Sequence, residues 1–260
     1  MLRLTTLALG HCTVPAWSAG LAGRGRVALP ALATLVETED ATILVDAGYG
    51  SAFLAATRAF PARLYRWATP ATMPAGGGLA AALPRRPDLV MLTHMHADHV
   101  AGLMDLPPGI PVTASRAAIA HLRGLSDWAA TRAACPPLLR DGVLARAPAA
   151  IEDRPSVATG LPGFPEGRDL LGDGRLLAVP LPGHGVGQTG LWIPEAARFL
   201  VADAAYARAA LRAGRMPPRP LLARLGDPDA YRRTFDRLRA LMRARPEIRI
   251  DPSHCPETAP

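Results

Sequence analysis

The sequence predicts one α/β domain over residues 1–260, in which two β-sheets lie face to face between outer helices as an αββα four-layer sandwich. Three observations support this prediction. With 260 residues and 49% hydrophobic content, the chain can bury a substantial core. Short apolar segments typical of strands recur in both halves of the chain, and helical patterns alternate with them.

The first half is predicted to consist mainly of strands joined by glycine- and proline-rich loops. Strands are expected at 2–9, 31–37 and 42–46, with Glu39 and Asp40 in the turn between the last two. A short helix over 51–59 ends before Pro61. Prolines and three consecutive glycines predict an irregular loop over 69–87, and 88–93 is a compact apolar strand.

The second half begins with helices and returns to strands. Ser115 can cap a helix over 117–122, and another helix is predicted over 125–134. Because 136–174 has few periodic signals, 124–174 is predicted to be a lid or loop insertion that faces a substrate. Strands follow at 175–181, 190–193, 199–202 and 247–251. Asp227 and Pro228 begin a helix with an apolar stripe formed by Tyr231, Phe235, Leu238, and Leu241 or Met242.

Charge and cysteine content narrow the expected surroundings of the protein. The net charge is +7, but the basic residues are scattered arginines, and the densest group lies on the predicted helix that begins at Asp227 and Pro228, opposite its apolar stripe. A solvated helix face explains them, so nucleic acid is not expected as a partner. Three cysteines without a CxxC pair argue against a disulfide framework. No apolar run approaches the roughly 18 residues that span a membrane, so we expect a cytoplasmic protein.

A dense group of potential metal ligands follows the predicted strand at 88–93. In an extended segment alternate side chains point the same way, so His94, His96 and Asp98 can converge, and His99 follows as the chain turns into a helix. Imidazole and carboxylate suit zinc, iron, manganese or cobalt. Without a cation, so many ionisable groups at one strand end would repel each other or require costly desolvation.

Three further candidate ligands come after later apolar segments. They are His184 in a Pro-Gly-His-Gly sequence, Asp203 after the 199–202 strand, and His254 after the last strand. Each would be weak evidence alone, because an isolated histidine or a strand-end aspartate usually has another explanation. Together they can meet the first group at one edge of the sandwich.

The full pattern resembles the metallo-β-lactamase-fold hydrolases over nearly the whole chain. It consists of Thr93-His94-x-His96-x-Asp98-His99-x-x-Gly102, followed in order by His184, Asp203 and His254. The resemblance implies two divalent ions, with zinc expected and iron, manganese or cobalt as alternatives. It also implies that one ion is held by His94, His96 and His184 and the other by Asp98, His99 and His254, with Asp203 as the bridge.

Two features set the chain apart from true β-lactamases. Those with two metals usually lack the histidine at the position of His99, and many have cysteine in place of Asp203. The pattern is more similar to glyoxalase II enzymes, acyl-homoserine lactone lactonases and phosphodiester-cleaving relatives. Asp203-Ala204-Ala205-Tyr206 is similar to the Asp-x-x-Tyr of the lactonases, whose tyrosine lies beside the substrate carbonyl. A core role for Tyr206 is the alternative.

The resemblance implies hydrolysis of a small-molecule ester, lactone or thioester by a hydroxide shared between the two metals. Asp98 is expected to orient or shuttle a proton and Tyr206 to donate to the developing oxyanion. A phosphodiesterase or nuclease is one alternative. A persulfide dioxygenase-like enzyme with one iron on His94, His184 and Asp203 is another. The sequence leaves the substrate and the oligomeric state open, a homodimer included.

Several other residues near these motifs receive supporting roles. Asp46, before Gly48, resembles the family's Asp-x-Gly turn, in which the carboxylate supports the site without binding metal. Cys12 and Cys255 are expected to pack or support the site, and His121 to lie on the surface. Aromatic residues that could wall an apolar pocket, or anchor loops in the core, are Trp17, Tyr65 and Trp67.

Overall fold

The strands form two mixed β-sheets in the computed structural model, which describes residues 2–74, 76 and 78–260. Seven strands make the first sheet, in the order β4-β1-β2-β3-β5-β6-β7. Their bounds are β1 Arg3–Pro15, β2 Arg26–Glu37, β3 Thr42–Val45, β4 Ala71–Thr72, β5 Leu89–Met91, β6 Val112–Ala114 and β7 Ala149–Ala150. Strands β1, β2 and β3 pair antiparallel in turn, whereas β3, β5, β6 and β7 run parallel to one another.

Six strands make the second sheet, in the order β13-β12-β11-β10-β9-β8. Their bounds are β8 Ser156–Leu161, β9 Phe164–Asp169, β10 Leu177–Pro180, β11 Thr189–Ile193, β12 Arg198–Ala202 and β13 Arg249–Pro252. All neighbours are antiparallel except β12 and β13. A parallel step at β12 and β13 requires a crossover, which the helices between these two strands supply.

Within the described residues, ten α-helices accompany the sheets. They are α1 Ser51–Ala56, α2 Ala62–Ala68, α3 Gly78–Ala82, α4 Ala97–Val100, α5 Arg116–Gly124, α6 Asp127–Arg132, α7 Pro137–Ala145, α8 Arg208–Ala213, α9 Arg219–Leu225 and α10 Pro228–Ala244. Short 3-10 helices cover Ala16–Ala19, Ala101–Asp105, Ile151–Asp153 and Pro194–Ala196. None of the helices in the described part of the chain is long and apolar enough to cross a membrane.

Side-chain alternation along the strands separates the core into three layers. In β3, Leu44 packs with the helices outside the first sheet, whereas Ile43 and Val45 face the second sheet. In β12, Leu200 joins the layer between the sheets, and Phe199 packs towards α10. Successive strand residues point to opposite faces, so each sheet buries both of its faces. The predicted αββα sandwich is therefore confirmed.

Two predicted helix starts have the expected capping bonds. Ser115 Oγ accepts a hydrogen bond from Ala118 N (3.1 Å), and Asp227 Oδ1 accepts from the backbone N of Asp229 (2.8 Å) and Ala230 (3.1 Å). Such caps satisfy amides that the first helical turn leaves free. The predicted α10 stripe is buried at Tyr231, Phe235, Leu238 and Leu241, whereas Met242 is only partly buried beside it.

The irregular segments predicted from composition contain more regular structure than expected. Within 69–87 the chain forms β4 and α3, although Ala75 and Gly77 lie outside the described residues. An irregular loop over 124–174 is wrong for most of that range, because α6, α7 and the β8–β9 hairpin occupy it, whereas a lid that faces a substrate stays a prediction. Strand β8 lies at the edge of its sheet with alternate residues exposed, so it has few apolar residues for a sequence pattern to reveal.

Candidate metal centre

The ends of five strands bring the candidate site together. Asp46 follows β3, and His94 lies three residues beyond Met91, the last residue of β5. His184, Asp203 and His254 follow β10, β12 and β13, whose ends lie at the same edge of the second sheet. Because the two sheets are stacked, these loops meet the β5–α4 turn at one edge of the sandwich.

The seven predicted ligand residues all lie in this one place. We call them the seven-residue cluster. Their ligand atoms form three groups in which every atom lies within 4.8 Å of the others. The groups are His94, His96 and His184; Asp98, His99 and His254; and His94, His99 and Asp203. The first two have the composition that the resemblance implies for the two metals.

Asp203 lies between the two groups of ligands. Its Oδ2 is 3.2 Å from His184 Nε2 and 3.1 Å from His254 Nε2. Its Oδ1 is 3.4 Å from His99 Nε2. A carboxylate in contact with histidines of both groups is placed where a bridging ligand would be required.

The histidine nitrogens that face away from the cluster are held by other groups. His99 Nδ1 lies 2.8 Å from Asp46 Oδ2, and His254 Nδ1 lies 2.7 Å from the carbonyl oxygen of Pro30. His94 Nδ1 is 3.2 Å from the Thr93 hydroxyl. Contacts of this kind fix the ring orientation and the tautomer of a metal-ligating histidine. They leave Nε2 of each of these rings directed at the cluster.

Asp46 also fixes the backbone from which the first ligands project. Its Oδ1 accepts a hydrogen bond from Thr93 N (2.8 Å), and its Oδ2 accepts one from the Thr93 hydroxyl (2.8 Å). Asp46 is buried and has a φ of 60°, a left-handed conformation that aspartate adopts more readily than most residues. The expected supporting role of Asp46 matches these contacts.

Gly102, the last residue of the first motif, allows the helix after the cluster to approach the β3 loop closely. A Cβ on Gly102 would lie 2.1 Å from the carbonyl oxygen of Ala47. The backbone N–H of Ala47 in turn donates a hydrogen bond to the carbonyl oxygen of His99 (2.8 Å). A side chain at position 102 would therefore displace the backbone that carries His99.

Several buried atoms of the cluster have no hydrogen-bond partner among the residues that the structure describes. They are His94 Nε2, His99 Nε2 and Asp203 Oδ1. Buried polar atoms are nearly always satisfied, so unpartnered atoms grouped within a few ångströms require an explanation. Imidazole nitrogens and carboxylate oxygens are suitable ligands for zinc and related divalent ions. The residues present therefore fit a pair of such ions.

The two sides of the cluster differ in their electrostatics. The side with His94 and His96 favours neutral imidazoles, and the side with His99 favours a positive charge. Burial, reinforced by the neighbouring histidines, lowers the pKa of His94 well below its usual value, and burial lowers that of His96 to about 4. Burial acts in the same direction at His99, but Asp46, Asp203 and Asp98 outweigh it and raise its pKa well above normal. A metal ion can replace a proton in such a carboxylate-rich position.

Tyr206 contributes its ring to the core and its hydroxyl to the site. The hydroxyl lies 3.2 Å from Nδ1 of His184, and the ring centroid is 5.5 Å from that of His184. Burial, followed by the charge of Asp203, raises the pKa of Tyr206 well above its usual value. The phenol therefore stays protonated at neutral pH and keeps a hydrogen to donate.

A cavity of about 290 Å³ opens onto the cluster. Tyr206 and five residues of the cluster line this cavity. The five are His96, Asp98, His184, Asp203 and His254. Trp17 and Tyr65 form part of its wall, as expected, whereas Trp67 is exposed and does not line it. The rest of the wall is largely apolar. A substrate in this cavity would contact the cluster with one group and the apolar wall with another.

The other residues singled out from the sequence lie around the site or away from it. Cys12 lines the cavity, and burial raises the pKa of its thiol to about 12, so it remains neutral. Cys255 accepts a hydrogen bond from Arg208 N (3.4 Å), and His121 is exposed on α5. The supporting carbonyl of Pro30 was not predicted, because a backbone acceptor leaves no signal in side-chain identity.

Comparisons with known proteins agree with this architecture. A model of the metallo-beta-lactamase superfamily matches residues 26–254. A search of curated proteins finds no match. Three solved structures, each 18% identical, share the fold.

The first is a variant of B. thuringiensis AiiA with N-decanoyl-L-homoserine at its active site (98% of this chain and 93% of that chain covered, TM-score 0.66). The second is an N-acyl homoserine lactone hydrolase with N-hexanoyl-L-homoserine bound at its catalytic metal centre (98% and 93%, TM-score 0.67). The third is AidC, a dizinc quorum-quenching lactonase (99% and 89%, TM-score 0.60). The family match covers most of the sequence and includes the whole seven-residue cluster, so the chain belongs to the metallo-β-lactamase superfamily.

Proposed function

We propose that this protein is a dinuclear-metal hydrolase in which water attacks the carbonyl carbon of an ester, lactone or thioester and the acyl C–O or C–S bond breaks, with a lactone as the favoured substrate. The observation that carries the proposal is the convergence of seven ligand side chains at the floor of a largely apolar cavity, beside the hydroxyl of Tyr206. Structures with the same fold hold N-acyl homoserine products at their active sites, which supports a lactone.

His94, His96 and His184 would hold one ion, and Asp98, His99 and His254 would hold the other, with Asp203 between them. When bound, two divalent ions supply Lewis acidity towards the carbonyl oxygen and make water a nucleophile at neutral pH. Zinc is the expected metal. The protein's own part is to orient the ligands, exclude bulk water from the apolar cavity and handle protons.

Tyr206 is positioned to stabilise negative charge on the substrate oxygen. With Nε2 of His184 directed into the cluster, its Nδ1–H donates to the phenol oxygen of Tyr206. The phenol hydrogen is then free to donate into the cavity. A preorganised donor at the position where an oxyanion develops lowers the barrier of acyl transfer.

Asp98 is the cluster carboxylate best placed to move a proton. It lines the cavity and retains 13% of its side-chain exposure, whereas Asp203 retains 3%. Its Oδ2 lies 3.4 Å from His254 Nε2. A carboxylate that contacts both the cluster and the substrate space can take a proton at one atom and release it to the leaving oxygen.

The test of this proposal combines metal analysis with a substrate panel. The purified protein should bind two metal ions per chain and hydrolyse lactones or aryl esters after loading with Zn, Mn, Co or Fe. No turnover of the panel with any of these metals would overturn the proposal. One iron per chain with thiol-dependent oxygen uptake would favour a dioxygenase, and salt-sensitive RNA binding with cleavage would favour a nuclease.

We expect Tyr206→Phe to reduce kcat about 10- to 100-fold, because it removes one hydrogen-bond donor to the developing oxyanion. KM and the metal content should change much less, since the aromatic ring and the seven-residue cluster remain. Tyr231→Phe is the matched control: Tyr231 has a buried hydroxyl without a hydrogen-bond partner and does not line the cavity. An unchanged kcat in Tyr206→Phe would leave Tyr206 as a core residue only.

The proposal also includes the cellular compartment and the partner of the enzyme. Its three cysteines are buried and unpaired, which suits a reducing compartment, and we place the protein in the cytoplasm. The partner is a small-molecule substrate rather than nucleic acid. The arginines of α10 support this view, because they lie on the exposed side of a helix whose other face is buried.

A further inference from the structure

Two arginines lie where the cavity above the cluster meets a second, outer cavity. The outer cavity has a volume of about 340 Å³. The two cavities share four lining residues, which are Tyr65, Thr131, Arg132 and Arg224. Arg132 is in the last turn of α6 and Arg224 in the last turn of α9. A ligand that extends outward from the cluster therefore passes both guanidinium groups.

Neither arginine is paired with a carboxylate of the described residues. Nearby arginines differ: Arg140 contacts Asp127 and Asp141 at 2.8 Å each, and Arg219, on the same helix as Arg224, contacts Asp229. No ion pair or hydrogen bond involves the side chain of Arg132 or Arg224 in the part of the chain that the structure describes. Their donors are free to meet a ligand.

The described residues that line the two cavities include no carboxylate outside the seven-residue cluster that could neutralise these two charges. Among the described lining residues, only Asp98 and Asp203 carry carboxylates, and both belong to the seven-residue cluster. A cleft lined by one sign of charge raises the local concentration of ligands of the opposite sign. The outer end of the cavity is thus suited to an anion.

Apart from the arginines, the cluster, Tyr206 and a few hydroxyl side chains, the described wall of the inner cavity is largely apolar. It includes Val14, Trp17, Leu29, Leu221 and Leu225. Apolar walls with a few placed polar groups are the usual design of a small-molecule site, in which the polar groups fix orientation. Here the polar groups lie at both ends of the apolar stretch.

We infer that the substrate has an apolar body with the scissile carbonyl at one end and a negatively charged oxygen group at the other, which Arg132 and Arg224 recognise. This inference rests on the proposed function and specifies its substrate class. Guanidinium groups bind carboxylate and phosphate through paired N–H donors, and such charge-assisted bonds are stronger than neutral ones. The two arginines are specificity-determining residues, since they lie away from the seven-residue cluster.

The experiment measures binding without requiring turnover. Titration calorimetry on the zinc-loaded protein compares adipate, suberate and sebacate with hexanoate, octanoate and decanoate. The members of each pair share one carboxylate that can reach the cluster, and only the diacid has a second for the arginines. For at least one chain length we expect the diacid to bind about tenfold more tightly, and this preference should fall as salt is added.

Matched variants assign that preference to the two arginines. The double variant Arg132→Gln with Arg224→Gln should abolish it. The control double variant Arg123→Gln with Arg219→Gln should keep it, because these exposed arginines are on α5 and α9 but line neither cavity. An ω-phosphono-octanoate probe against suberate determines whether a phosphate or a carboxylate group binds better at the arginines.

The outcomes separate this inference from the proposed function. Equal binding of every pair, or a preference that survives Arg132→Gln with Arg224→Gln, overturns the inference even if neutral esters are hydrolysed. An arginine-dependent preference for the diacid without hydrolysis of any ester supports the anion site and contradicts the hydrolase proposal. If both hold, aryl esters with a distal carboxylate should show a kcat/KM about tenfold above neutral analogues.

Discussion

Asp203→Asn is expected to lower kcat/KM by about a thousandfold or more and to leave fewer than two metal ions per chain. The carboxylate contacts His99, His184 and His254, which belong to both groups of ligands. Two dications in one cluster repel each other, and a carboxylate between them offsets part of that repulsion. Asparagine keeps the shape of the side chain but removes the charge.

The measurements are metal content by atomic emission and steady-state kinetics on the best substrate of the panel. Circular dichroism should show a folded protein, because asparagine can still form hydrogen bonds in the same position. Asp236→Asn provides the control, since Asp236 is exposed on α10 and lies in neither cavity. Two metal ions and wild-type turnover in Asp203→Asn would contradict the bridging assignment.

The placement of the seven-residue cluster could be predicted from the sequence because each residue follows an apolar strand. Alternation explains why His94 and His96 converge, and the sheet explains why His184, Asp203 and His254 reach the same edge. The division into two ligand groups came from the family resemblance alone. Which residues hold metal remains a prediction until metal is measured.

Other features of the fold could not be predicted, because their signals are weak or nonlocal. Strand β1 was expected to end at residue 9 but continues to Pro15, after a register shift between Ala8 and His11. In that interval Gly10 has a φ of 83°. A glycine in a sequence usually indicates a turn. Here Gly10 lies in a β-bulge instead, and β1 pairs with the long strand β2 on both sides of it.

The β8–β9 hairpin was also not predicted, because only its turn has a clear sequence signal. The Pro162-Gly163 turn joins Leu161 and Phe164, and a Pro-Gly pair between apolar residues is a recognisable hairpin signal. Half of the remaining residues of β8 and β9 are exposed, so the segments resemble a loop in composition. No sequence pattern indicates the proposed roles of Arg132 and Arg224, because these residues lie on α6 and α9, which are far apart in the sequence.

Asp46→Asn is the second substitution for which we expect a large effect, a 10- to 100-fold weakening (about 1.4 to 2.8 kcal/mol) of metal binding by the Asp98, His99 and His254 group. Asp46 Oδ2 lies 2.8 Å from His99 Nδ1, and its charge is the main cause that raises the pKa of that histidine. Asparagine keeps the backbone conformation, because it also tolerates positive φ. It removes the charge that makes His99 a stronger ligand.

The effect should be uneven across the site. The Asp46 carboxylate reaches the His94, His96 and His184 group indirectly, through the backbone and hydroxyl of Thr93, so one metal ion should remain bound while the second is lost on dialysis. Asp46→Ala goes further, since it leaves the buried Thr93 N–H and His99 Nδ1 without partners and should destabilise the fold by about 3 kcal/mol.

Metal titration and urea unfolding of both variants separate the two effects. Asp88→Asn is the matched control, because Asp88 Oδ2 accepts a hydrogen bond from Thr42 N (2.8 Å), at the start of β3, whereas Asp46 follows its end. That variant should retain both ions. Equal loss of both ions in Asp46→Asn would show that the carboxylate organises the whole turn rather than one histidine. Retention of both at wild-type affinity would show that the charge beside His99 does not strengthen it as a ligand.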